Sequence, residues 1–179
     1  MVDPAAKIRC LSRVLMAFCG LGFVIMVLVY PLAWIVLDAE AYRREWQIPE
    51  HIPLATPGAD LRLAGFAVTG LLYGPVLYGL AQLWLVLRQF GRGVLFDRRN
   101  IIRLRRLGWA IVAVAAGDIA TQILVPYLLT STNPPDQRFL LIDCNDGDLL
   151  GLFAGGVMLL IARVLDAARE ISEDNAQII

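Results

Sequence analysis

Uncharged apolar runs set the pattern of this chain. The first, Val14 to Leu37, is bracketed by Arg13 and Asp38 and is 24 residues long. The second, Leu63 to Leu87, lies between Arg62 and Arg88 and is 25 long. A bilayer core takes roughly 20 residues of α-helix, so both runs predict spans. The third, Leu107 to about Leu129, is broken by one charge, Asp118. The fourth is shorter, Leu149 to Ala162 before Arg163. Snorkelling of the Arg163 head extends it to about Leu165. Asp146 and Asp148 precede it, where carboxylates suit the positive end of a helix. In lipid a helix satisfies its own backbone polar groups, so helical spans are expected over about 14–37, 63–87, 107–129 and 149–165.

Composition agrees with that pattern. The 179 residues are 58% hydrophobic and 18% charged, with mean hydropathy +0.64. Soluble domains run nearer about 45–50% apolar and about 25% charged. The balance excludes a disordered chain, a coiled coil and a disulfide scaffold, and weighs against an ordinary soluble enzyme. The connections 38–62 and 130–148 are too short for a second domain, so residues 1–179 form a single membrane domain. The three cysteines, Cys10, Cys19 and Cys144, are odd in number and show no CxxC, so neither a disulfide framework nor a zinc ribbon is supported. Lys7, Arg9 and Arg13 followed by Ala39-Glu-Ala41 superficially resemble a leader and its cleavage site. The apolar run far exceeds the about 7–15 residues of a leader, so a retained helix is expected.

The 16 basic and 16 acidic residues cancel, but not evenly along the chain. Twelve Lys and Arg flank the runs on one side: in the amino-terminal segment, the loop 88–106 and the tail 166–179 with Arg163. Four, Arg43, Arg44, Arg62 and Arg138, lie on the other. The positive-inside rule then predicts an all-α four-helix membrane bundle with both termini in the cytoplasm of a cell membrane.

The loop 88–106 carries the densest chemistry. Gly91 and Gly93 interrupt the helix leaving the second span, and Asp97 is the expected cap of a new one. Ile101, Leu104 and Gly108 share a face, with Arg98, Arg99, Arg103 and Arg106 largely elsewhere. This predicts a short amphipathic helix leading into the third span, with Trp109 at the interface. Arg92, Arg98, Arg99, Arg103, Arg105 and Arg106 are the candidate contacts. They suit anionic headgroups, at about 1 kcal/mol each, or an acidic protein surface. No fold or stacking aromatics support direct nucleic-acid binding.

The stretch Gly93-Val-Leu-Phe96-Asp97-Arg-Arg-Asn100, continuing to Gly108-Trp109, resembles the signature loop of a bacterial and archaeal membrane family, domain of unknown function 2975. The tail from Ala168 through Glu170, Glu173, Asp174, Asn175 and Gln177 to Ile179 is similar to that family's acidic end. Asp97 stands where the family carries Ser or Thr, which keeps the capping chemistry. The resemblance implies four spans and no assigned chemistry. It also implies a regulatory pair, because many members are encoded beside a small helix-turn-helix regulator.

Asp118 stands out as the lone charge within a span, about 16 Å along the helix from Leu107. Ionisable groups at that depth are costly and face the protein interior. Thr121 and Gln122 follow on the same face, and Tyr78 and Tyr73 on the antiparallel second span are the expected partners. Proton sensing, ion binding and interhelical adhesion all fit, as does a protonated Asp bonded to a neighbouring helix. Gly70 with Gly74 and Gly151 with Gly155 have the spacing of close helix packing. His51 has no visible partners, and residues 143–148 fail the register of a calcium loop. No GxSxG, phosphate-binding loop or HExxH occurs, so no catalytic set, cofactor or metal is expected. The tail, with Glu170, Glu173, Asp174 and Ile171, is expected to extend the fourth helix as a solvated end or a grip for a soluble partner.

Two functions follow as expectations. The first is a non-enzymatic membrane protein that holds a small cytoplasmic DNA-binding regulator. The alternative is a small transporter or ion-coupled subunit using Asp118. The oligomeric state stays open, a homo-oligomer included.

Overall fold

A computed structural model describes residues 4–92, 97–142 and 145–176. The described residues form helices α1 (Pro4–Val36), α2 (Ala39–Glu45), α3 (Ala59–Phe90), α4 (Arg98–Leu129) and α5 (Asp146–Ala176), with a 3-10 turn at Pro135–Gln137. No strand occurs among them. Four of the helices are long and apolar enough to cross a membrane. The architecture is that of an all-helical, multi-pass membrane protein.

The four long helices pack in an order that the apolar runs did not reveal. Backbone contacts join α1 to α3, α3 to α4 and α4 to α5, and no other pair among the described residues. The helices therefore stand as an open row, not a closed four-helix bundle. The seams explain the neighbours. Gly79 faces Ala110 and Gly117 faces Leu72 between α3 and α4, while Gly108 faces Leu159 and Gly155 faces Val112 between α4 and α5. Small residues let membrane helices approach closely. Nothing comparable closes α1 onto α5, and lipid imposes no cost on the apolar faces left outside. Phe18, Leu21, Leu28 and Ile35 of α1 and Phe153, Leu160 and Val164 of α5 are accordingly exposed.

The best-packed core lies at one end, where α2 and the two longer connections meet. Trp34, Tyr42, Ile48, Ile52, Val125 and Leu129 form it, with Phe139 and Leu54 against them. Polar side chains close this cap. Asp38 caps α2 by accepting from the Ala41 amide at 2.8 Å. Arg43 donates to the Ile52 carbonyl at 3.1 Å, and Asn133 ties the two connections by donating to Pro53 at 2.7 Å. Gln47, just past α2, is the one described non-glycine residue with a left-handed backbone, φ 50°.

The start of α5 decides the site. Phe139 donates its amide to the Thr130 hydroxyl at 2.9 Å, at the end of α4. Asn145 stands beside Asp118, about 18 Å lower along α4 at 1.5 Å per residue. So α5 begins within the depth of the third span. This is the physical reason that the fourth apolar run is short.

At the opposite end, Asp97 accepts from the Arg99 amide at 2.9 Å and caps α4. Helix α4 then runs unbroken from Arg98 into the third apolar run. The expected lead-in and the span are thus one helix. Gly93 and Phe96 of the signature loop, Cys144, and Gln177 to Ile179 lie outside the described residues.

Candidate functional site

Asp118 is where the elements converge. Gln122, one turn on, donates to its Oδ2 at 2.9 Å. Asn145 and Asp148 from the first turn of α5 stand beside it on the wall of one cavity. Asn145 and Asp148 also cap each other. The Asn145 amide donates to Asp148 Oδ2 at 3.0 Å, and the Asp148 amide to Asn145 Oδ1 at 3.1 Å. This reciprocal pattern is a capping box. It fixes the Asp148 carboxyl, which is only 3% exposed, on the cavity wall that Asp118 also lines. The amino-terminal end of α5, with its partial positive charge, borders the same cavity.

Two cavities share Asp118 and Asn145 on their walls. One, of about 580 Å³, opens between α1, α2, α3 and α4, with Tyr30, Trp34, Tyr42, Trp46 and Tyr73 on its walls. Glu45, Gln47, Thr69, Asp118, Thr121, Gln122 and Asn145 supply its polar groups, and no Lys, Arg or His is among its described lining residues. The other, of about 590 Å³, lies between α3, α4 and α5. It is almost wholly apolar apart from Asp118, Asn145 and Asp148.

The aromatic wall is held by Thr69. Its hydroxyl donates to the Gly65 carbonyl at 2.8 Å and accepts from the Trp34 indole at 3.0 Å. The Tyr30 hydroxyl sits 2.7 Å from it and donates to the Phe66 carbonyl. The Tyr30 ring stacks on Tyr73 at 4.1 Å and on Phe66 at 4.9 Å. Tyr42 donates to the Trp34 carbonyl at 3.1 Å. Burial pushes the Tyr42 phenol up, and the Arg62 charge opposes the shift.

The family comparison gives one match. Residues 22–179 match the family described as Protein of unknown function (DUF2975). The chain belongs to this family. No curated protein and no solved structure matches it.

The candidate residues of this family member divide in three dimensions. Asp118, Thr121, Gln122 and Tyr73 line one cavity together. Tyr78 does not join them; it is 45% exposed on α3 and lines neither cavity. It points away because the α3 face toward α4 is set by Gly79 and Leu72. Of the glycines, Gly151 faces Ala115, Gly155 faces Val112 and Gly70 faces the Tyr30 hydroxyl, all within 4 Å. Gly74 meets nothing within 4 Å, so only one glycine of the Gly70–Gly74 pair packs.

Of the candidate arginines, Arg92, Arg98, Arg99, Arg105 and Arg106 are exposed. Arg103 is half-buried and donates to the Leu85 carbonyl at 3.3 Å, bridging α4 to α3. In the tail, Glu173 pairs with Arg169 of its own helix. Among the described residues no group of His, Cys, Asp and Glu is arranged to hold a metal ion.

Sequence reasoning passed over Asn145, Glu45, Thr69 and Arg62. A signal existed for the first: Asn145 and Asp148 have the spacing of a capping box ahead of an apolar run. The others depend on contacts between α1 and α3 or within the cap, which no local pattern encodes.

Proposed function

We propose that this protein is a non-enzymatic regulatory membrane protein whose Asp118 cavity governs a cytoplasmic docking face. The observation that carries the reading is the unbroken course of α4. One helix holds exposed Arg98, Arg99, Arg105 and Arg106 near its start and Asp118, Thr121 and Gln122 further along. A rigid helix that joins a cavity to a charged face is a physical route for coupling the two. On the Lys and Arg bias the arginine end would lie in the cytoplasm. The docked partner would be a small soluble regulator with an acidic surface. Charge complementarity of this kind sets partner choice and association rate.

The experiment is affinity purification from native membranes with identification of what co-purifies. Arg98→Glu, Arg99→Glu and Arg105→Glu together should abolish capture of a soluble partner. Arg103 is left intact because it bridges helices. Unchanged capture by the triple variant removes the docking reading.

A second reading, an ion-coupled transporter, is favoured by one observation: Asp118 borders both cavities. A helix that starts at membrane depth with its amino-terminal end facing a charged group is a known device of transporters. Flux across proteoliposomes that is indifferent to Asp118→Asn would remove it.

A further inference from the structure

We infer that the aromatic cavity above Asp118 is a binding site for an amphipathic organic cation. The inference deepens the regulatory reading by naming what the cavity takes, and it is tested separately from it.

Size comes first. About 580 Å³ falls within the roughly 300–1,000 Å³ of small-molecule sites. It is far more than a bare metal ion needs. Charge comes second. The lining holds two carboxyl side chains, Glu45 and Asp118, and no cationic side chain. Arg43 and Arg62 of the cap are engaged with main-chain carbonyls. Wall chemistry comes third. Tyr30, Trp34, Tyr42, Trp46 and Tyr73 surround the space, and aromatic faces attract cations, most strongly when the site is desolvated. Three of these rings are already fixed, Trp34 through Thr69, Tyr42 through the Trp34 carbonyl and Tyr30 through the Phe66 carbonyl. A preorganised cage loses little conformational freedom on binding. Ile25, Met26 and Val29 of α1 line the side that α5 leaves open, where an apolar substituent of the ligand would lie.

An inorganic cation is disfavoured by the same facts, because a hard ion wants six or more oxygens rather than aromatic faces. An anion is disfavoured by the two carboxyls.

Trp34 and Trp46 line the cavity, whereas Trp84 and Trp109 do not. The purified chain carrying Trp84→Phe and Trp109→Phe therefore reports on the cavity by its own fluorescence. Titration with tetraphenylphosphonium should give saturable quenching. Tetraphenylborate, of the same shape and opposite charge, should give none. Glu45→Gln, at an exposed position that leaves the fold intact, and Asp118→Asn should each weaken the cation about tenfold or more, the scale of one lost charge contact. Circular dichroism of each variant confirms that it is folded. Unsaturable quenching, an equal response to the borate, or saturation untouched by both variants would overturn the inference. None of these results depends on a cytoplasmic partner, so the pull-down and the titration fail separately.

Discussion

The guanidinium of Arg62, at the start of α3, donates to the main-chain carbonyl of Trp34 at 3.1 Å, near the end of α1. It also serves Ile35, Leu37 at 3.2 Å and Pro57 at 3.0 Å. The last carbonyls of a helix lack internal partners, and here one planar side chain supplies them. Arg62→Ala takes the donor away from the Ile35, Leu37 and Pro57 carbonyls and leaves Trp34 with Tyr42 alone. Each lost charged hydrogen bond is worth about 1.5–3 kcal/mol, so the variant should lose several degrees of thermal midpoint in detergent. Arg62→Lys should recover only part of it, because an ammonium cannot fork across the set. Equal midpoints for the parent and the alanine variant would show that the cap does not need the guanidinium.

Gly65 and Trp34 form the tightest contact on the α1–α3 seam. A Cβ at Gly65 would sit 2.1 Å from the Trp34 ring. Gly65→Ala should therefore cost at least the about 1–3 kcal/mol of overpacking. Trp34→Phe should absorb much of that cost, giving a favourable coupling energy in the double variant. The measurement is a double-variant cycle of unfolding midpoints; strict additivity would refute the contact.

Adjacent glycines on α5 should respond oppositely. A Cβ at Gly155 would meet Val112 at 2.6 Å and the Gly108 carbonyl at 3.1 Å, whereas one at Gly156 would meet nothing within 4 Å. Gly155→Ala should destabilise by about 1–3 kcal/mol. Gly156→Ala should be neutral or stabilising, given the better helix propensity of alanine. Thermal midpoints of the two variants, measured side by side, check the α4–α5 register directly.

Tyr42 links pH to stability at the alkaline end. Burial raises its phenol above the ordinary value of 10.0, against a smaller opposing pull from Arg62. The folded chain then keeps this proton at a pH where the unfolded chain has released it. Stability from this group is complete below the ordinary phenol value and falls as pH rises through and above it. Tyr42→Phe loses the bond to the Trp34 carbonyl, about 1 kcal/mol, and so starts lower. It should also lose less stability than the parent between about pH 9 and about pH 11. Parallel slopes for the two proteins would remove the linkage.

The spans were legible because lipid demands one composition over a fixed length, and Val14–Leu37 and Leu63–Leu87 meet that demand without a charge. Asp118 was legible for the same reason, as the exception in such a run. The open row was not, because lipid-facing Leu160 and seam-facing Leu159 are the same residue to any pattern of polarity. Nor was the cap, where Tyr42 and Ile48 meet Val125 and Leu129 from another helix. The depth of Asp148 was half legible. Its place before the last apolar run marked a helix start, but only the packing of α5 on α4 sets that start beside another carboxyl.

The carboxyl pair itself can be interrogated by changing what lies between its members. Asp118→Asn keeps an acceptor toward Gln122 and offers an amide donor toward Asp148. One of two neighbouring buried carboxyls is then uncharged at any pH, so this variant should match or exceed the parent in thermal stability. Asp118→Leu removes the acceptor of the Gln122 amide and sets an apolar group beside Asp148 and Asn145. A stranded buried donor costs about 1–3 kcal/mol, so the leucine variant should be the least stable of the three. The order asparagine, parent, leucine is the one expected of neighbouring carboxyls. A carboxyl serving only Gln122 would give the asparagine variant less stability than the parent, and that ranking would refute the arrangement at the start of α5.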